Sequence, residues 1–173
     1  MYFQKIKIPP PTWNLEGIEI PEPQVRLYEK HFTNVEDIVP TDLLEKLKTI
    51  NMKPEYVRLF VWPRDFVGQW HIDGDYVTPR YSCMNWLING GGSIQFNSTI
   101  IMEARPGVHR GKASTPIDIV QAETTGHGYA ISSGSIHRVV TGDGGRTSIS
   151  LSYKRRDIVF PQMLEKLASI GLI

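Results

Sequence analysis

From residue 55 to residue 153 the chain is a succession of short β-prone runs, and this constrains the fold more than any other feature. Tyr56–Trp62, Phe66–Ile72, Tyr81–Ile88, Ser93–Phe96, Ile100–Glu103, Ile117–Glu123, Tyr129–Ser132, Ile136–Thr141 and Arg146–Tyr153 carry branched and aromatic residues at strand-like density. Breaks bearing glycine or proline separate most of them, as at Pro63-Arg64-Asp65 and Asn89-Gly90-Gly91-Gly92. Many short strands at this spacing predict a mainly β protein built as a sandwich, jelly roll or barrel. Residues 105–115 read as a polar loop.

Two helices flank the strands. Pro40-Thr41-Asp42 opens the first, with Thr41 as cap and Asp42 suited to the positive end. Leu43, Leu44, Leu47 and Ile50 then recur on one side, and Asn51 is the expected stop. Pro161 to Leu172 repeats the stripe with Met163, Leu164, Leu167 and Ile170. Residues 1–24 hold five prolines and predict an extended segment wrapped over the surface. The type of the Gln24–Phe32 segment stays open. With 173 residues and no linker or repeat, one domain is expected: a β core at about 55–155, an N-terminal extension and helix at 1–54, and a C-terminal helix at 161–172.

Charge excludes some partners. Nineteen basic against 18 acidic residues give a net charge of +1, which supplies no attraction for nucleic acid or an anionic membrane. Cys83 is the single cysteine, so no internal disulfide forms. No apolar run reaches the ~18 residues of a membrane span, and Met1-Tyr2-Phe3-Gln4-Lys5 lacks a leader's apolar region. A cytoplasmic protein is the expectation.

The chemistry gathers at two places. In Trp70-His71-Ile72-Asp73-Gly74, the spacing of two puts His71 and Asp73 on one face of a strand. Asp75 is the rival carboxylate, disfavoured because Gly74 is expected to end the strand. A second imidazole is sought among His31, His109, His127 and His137. His137 is preferred because it starts a hairpin whose return strand offers an arginine. With Gly142-Asp143-Gly144-Gly145 as its loop, Thr141 lies near Arg146, Val139 near Ser148 and His137 near Ser150. One face then carries His137, Arg146, Ser148 and Ser150 and lines a pocket. The other carries Ile136, Val140, Ile149 and Leu151 and is expected to take the helices. Two histidines and one carboxylate with other positions open form the ligand pattern of non-haem Fe(II) oxygenases. A buried guanidinium suits a carboxylate, bidentately. Metal and arginine together imply a keto acid or dicarboxylate, with Ser148 adding a hydroxyl. Asn85 reads equally as a group orienting that ligand and as a residue bonded to backbone. Trp70 and Trp86 are expected in the core, and Arg80 and Arg105 at the surface.

His71-Ile72-Asp73, His137 and Arg146-Thr147-Ser148, in this order and spacing, resemble the signature of the Fe(II)/2-oxoglutarate-dependent dioxygenase superfamily. The run Arg80-Tyr81-Ser82-Cys83-Met84-Asn85-Trp86-Leu87-Ile88 with the glycines after it is similar to the middle strands of its small bacterial and phage-type members. The resemblance covers about residues 55–155. It implies a double-stranded β-helix (a jelly-roll, cupin-like barrel) with helices packed on one sheet. It implies Fe(II) held by His71, Asp73 and His137, with 2-oxoglutarate and O2 as co-substrates. It assigns the distal carboxylate to Arg146, assisted by Ser148 or Tyr81. Because Asp73 is present, hydroxylation of a C–H bond is the expected outcome, with succinate and CO2 released. The primary substrate is a small molecule or a protein side chain. Two other readings compete: a cupin-like metalloenzyme that does not use 2-oxoglutarate, and a non-enzymatic jelly-roll binding module.

Overall fold

The computed structural model describes residues 1–23, 26–73, 82–97, 118–121, 126–153 and 158–173. Its elements are β1 (Phe3–Lys5), β2 (Tyr28–Phe32), α1 (Thr41–Thr49), β3 (Tyr56–Trp62), β4 (Ser82–Gly90), β5 (Ser93–Phe96), β6 (Asp118–Gln121), β7 (Gly128–Ile131), β8 (His137–Val140), β9 (Arg146–Tyr153) and α2 (Phe160–Ser169). Every strand pairing is antiparallel. A six-stranded sheet runs β1-β7-β4-β9-β3-β2, and a three-stranded sheet runs β6-β5-β8. The expected runs Ile100–Glu103 and 105–115 lie outside the described residues.

Strand β9 is the axis of the large sheet. All eight of its residues are buried. Along one edge it pairs with β3 from Tyr56↔Ser152 to Trp62↔Arg146. Along the other it pairs with β4 from Ser82↔Tyr153 to Gly90↔Arg146, with a register shift between Leu87 and Asn89. Alternation then sorts its side chains. Ile149, Leu151 and Tyr153 point into the larger core, while Arg146, Ser148, Ser150 and Ser152 point to the opposite face.

Both helices cover the apolar face. Leu43, Leu44 and Leu47 of α1 and Met163 and Leu167 of α2 join one cluster with Val57, Leu59, Met84, Trp86, Ala130, Ile149 and Leu151. The helices end alike. After α1, Asn51 adopts a left-handed φ of 54°, Asn51 N–H donates to Lys48 O at 3.0 Å, and Met52 N–H to Leu47 O at 2.8 Å. After α2, Gly171 at φ 69°, with Gly171 N–H to Ala168 O and Leu172 N–H to Leu167 O, repeats the motif. Met52 and Leu172, the residues just past each turn, are both buried, which ties each helix end to the core. Thr41 is not the cap: Pro40 occupies that position, with no side-chain bond, and Thr41 is the first helical residue. The N-terminal extension contributes β1 to the sheet edge beside β7. Farther on, Trp13 packs edge-on against Trp86, with ring centroids 5.2 Å apart.

The small sheet packs against the other face through Cys83, Ile94, Phe96, Ile131 and Val139. Here the structure departs from the expected hairpin. Strand β8 does not pair with β9; it pairs with β5, Phe96↔His137 through Ser93↔Val140. The reason lies in β9, whose two edges are already taken by β3 and β4. The glycine-rich link after β8 therefore carries the chain from one sheet to the other. Thr141 anchors it, its hydroxyl donating to Pro63 O at 2.6 Å and accepting from Phe66 N–H at 2.9 Å. Ile136 and Val140 consequently lie outside the helix-covered core. Nor is Phe66–Ile72 a continuous strand. It touches β8 at two isolated bridges, Val67↔Val140 and His71↔His137. Among the described residues, no helix is long and apolar enough to cross a membrane.

Leu47 is fully buried where α1 meets the large sheet. Leu47→Ala is expected to lower unfolding free energy by ~2–5 kcal/mol, whereas Lys46→Ala on the exposed side should stay within about 0.5 kcal/mol. Urea titrations of the two variants check this.

Candidate metal centre and anion pocket

The site begins with backbone. His71 N–H donates to His137 O at 2.9 Å, and His137 N–H donates to His71 O at 2.8 Å. Two residues directly opposite each other on antiparallel segments point the same way. The rings accordingly meet, with centroids 4.4 Å apart. Asp73 follows two residues later and is fixed by its N–H to Ser133 O at 2.9 Å. Its Oδ1 lies 3.7 Å from His71 Nε2 and 3.9 Å from His137 Nε2. One ligand atom from each of the three residues falls within 4.8 Å of the others. Nitrogen and oxygen donors on one ion at about 2.1 Å stand roughly 3.0–3.4 Å apart, so the three donors would have to draw closer to share a cation.

The tautomers suit that role. His71 Nδ1 lies 2.9 Å from Gln69 O, and His137 Nδ1 lies 2.8 Å from Ser135 O. A carbonyl only accepts, so each Nδ1 carries the proton and each Nε2 keeps its lone pair for the shared space. Burial pushes the His71 pKa down. It pushes His137 down to about 3, with His71 beside it adding to the effect. Both rings are thus held neutral, as metal ligation needs.

A second polar group is buried on the same side of the large sheet. Arg146 is 4% exposed. Burial lowers its pKa to about 10, with Tyr129 acting in the opposite sense, and it remains charged at neutral pH. Its Nε and Nη1 are buried without a hydrogen-bond partner among the described residues, and so are Asn85 Oδ1 and Ser148 Oγ. Such orphaned groups carry a desolvation cost that a polar ligand would relieve. The cross-strand register sets them in rows: Trp62 beside Arg146, Phe60 beside Ser148, and Arg58, Ser150, Asn85 and Tyr129 in sequence across four strands. Nε–H and Nη1 lie on different edges of the guanidinium, so each offers a charge-assisted hydrogen bond to an anionic acceptor.

Among the other candidates, Tyr81, Asp75, Arg80, Arg105 and His109 lie outside the described residues. His31 sits on β2, its Nε2 2.7 Å from Glu29 Oε1. Trp70 and Trp86 are buried, as expected of core residues. Sequence reasoning passed over Arg58. Its Nη2 lies 3.8 Å from Asp73 Oδ2, its Nη1 donates to Glu29 Oε1 at 2.9 Å, and its guanidinium lies over the Phe60 ring at 4.7 Å. Alternation in β3 sets Tyr56, Arg58, Phe60 and Trp62 opposite the buried Val57, Leu59 and Val61. That signal was readable. The carboxylate it meets was not, because no residue pattern relates β3 to the segment holding Asp73.

No protein-family model matches the chain, and no curated protein matches it. Among solved structures, the X-ray structure of E. coli ycfD is similar at 12% identity and a TM-score of 0.45, covering 65% of this chain and 28% of that one. The chain thus matches just over a quarter of that protein's length.

The His137 pKa has a consequence for the metal-free protein. Unfolded chains take up this proton near the ordinary value of 6.5, whereas the folded state refuses it down to about 3. Its effect on stability is therefore nil above pH 6.5 and increasingly unfavourable as pH falls below it, by up to ~1.4 kcal/mol per pH unit. In chelator, the stability gap between the wild-type protein and His137→Gln should shrink steadily from pH 7 to pH 4. Urea melts at each pH read it.

Proposed function

We propose that this protein is an Fe(II)- and 2-oxoglutarate-dependent dioxygenase that hydroxylates a C–H bond, and that its two sheets form the double-stranded β-helix of that superfamily. One observation carries the reading. Three metal-capable side chains, His71, Asp73 and His137, converge, and a buried guanidinium with two unpaired donors among the described residues projects from the same face of the large sheet.

The residues divide the work. His71, Asp73 and His137 would hold the ion. Arg146 grips the distal carboxylate of 2-oxoglutarate, and Ser148 offers a hydroxyl beside it. Asn85, with its unpaired Oδ1 on the neighbouring strand, orients the keto acid or a water. Burial around Arg146 strengthens each of these contacts by excluding water. The chemistry such an iron would supply is activation of O2, coupled to conversion of 2-oxoglutarate into succinate and CO2, with one oxygen atom of O2 entering succinate and the other the substrate. The substrate is a small molecule or a protein side chain, with no membrane or nucleic acid required. Ferrous iron and the buried free thiol of Cys83 both suit a reducing cytoplasm.

Anaerobic Fe(II) plus 2-oxoglutarate should give a weak visible charge-transfer band that His71→Ala abolishes. Absence of the band in the wild-type protein counts against the reading. Arg146→Met should leave metal binding intact and raise the KM for 2-oxoglutarate by about 10²-fold, the loss of two charge-assisted hydrogen bonds. Unchanged turnover in that variant would favour a metalloenzyme of another kind, and a purified protein that takes up no metal would favour a binding module.

A further inference from the structure

Asp73 presents its two oxygens to different partners. Oδ1 faces both imidazoles, at 3.7 and 3.9 Å, while Oδ2 faces the guanidinium of Arg58 at 3.8 Å. The residue lies outside every strand, and the terminal torsion of an aspartate is broad and two-fold. Nothing in its own backbone chooses which oxygen, or how many, reach an ion. Arg58, by contrast, has anchors of its own, with only its buried Nε lacking a partner among the described residues. It stands on β3 opposite Ser150, whose small side chain leaves the guanidinium room. It is 15% exposed, bonded to Glu29 at 2.9 Å and packed over Phe60. A fixed cation beside one carboxylate oxygen turns that oxygen away from a second cation.

We infer that Arg58 is a positioning residue that keeps Asp73 a one-oxygen ligand, with Glu29 neutralising its charge. The inference rests on the metal reading above. It matters because a six-coordinate ion has three positions left after three single-atom donors, enough for a two-atom chelate and one further ligand. A carboxylate binding through both oxygens removes one of them. The charge balance makes a further demand. Arg58 and a divalent cation repel each other, and Glu29 on the far side of the guanidinium offsets that repulsion. The two side chains should therefore shift metal affinity in opposite directions, which loss of mere structural support would not do.

Mn(II) is the probe, since its water proton relaxation counts exchangeable waters on the ion without turnover. Three waters are expected in the wild-type protein. Arg58→Met should show two, bind Mn(II) roughly tenfold more tightly, and lose most of the anaerobic band with 2-oxoglutarate. Glu29→Gln, a change at a partly exposed strand position, should keep three waters and bind Mn(II) several-fold more weakly. Arg58→Lys, which retains the cation, should stay nearer the wild-type count and covers the case in which Arg58→Met does not fold. Three waters in Arg58→Met, or weakened binding in both the Arg58→Met and Glu29→Gln variants, overturns the role given to Arg58 and leaves the proposed reaction standing. A wild-type protein that binds no Mn(II) overturns both.

Discussion

Two backbone hydrogen bonds between His71 and His137 hold the candidate site together. They join the segment that carries His71 to the first residue of β8, and so set two imidazoles side by side although 65 residues of chain separate them. The cost of organising polar donors is met by the scaffold before any ligand arrives. Each ring is then turned by a carbonyl only two residues away in its own segment, Gln69 for one and Ser135 for the other. The same device, used twice, fixes position through the bridge and orientation through the local bond.

The large sheet supplies the complementary half. Its central strand reads apolar on one face and polar on the other, and the fold uses both. Ile149, Leu151 and Tyr153 anchor the helices, while Arg146 and three serines are withheld from water on the opposite side. Burying a guanidinium with unmet donors is unfavourable for folding alone. Ser148 and Ser150 share its face of the strand, and the unmet donors leave the arrangement poorly explained by packing alone.

Much of this was legible in the residues. The bounds of β3 and β9, the two amphipathic helices and the inward face of β9 follow from local periodicity, which is a property of neighbouring residues; His71 and Asp73 come together although Asp73 lies outside every strand. What was not legible depends on which strand claims which edge. The link Gly142-Asp143-Gly144-Gly145 looks like a hairpin loop, and nothing local says that β9 is already paired on both sides. His137 and Arg146 nevertheless both point inward, because strands on facing sheets can turn toward each other just as strands of one hairpin share a face. Phe66–Ile72 does run along the outer edge of β8, but the register shifts by one residue between Val67↔Val140 and His71↔His137, so the pairing breaks into isolated bridges. Arg58 escaped notice because its meaning lies in a contact between distant segments.

The crossing from β8 to β9 has one more consequence. His137 ends up on the small sheet and Arg146 on the large one, with Thr141 pinning the connection between them to Pro63 and Phe66. The span between the His137 imidazole and the Arg146 guanidinium is therefore set by the separation of two sheets rather than by flexible side chains. On the proposed reading, a diacid one methylene too short or too long would meet that fixed separation, and discrimination by chain length would come from the architecture itself.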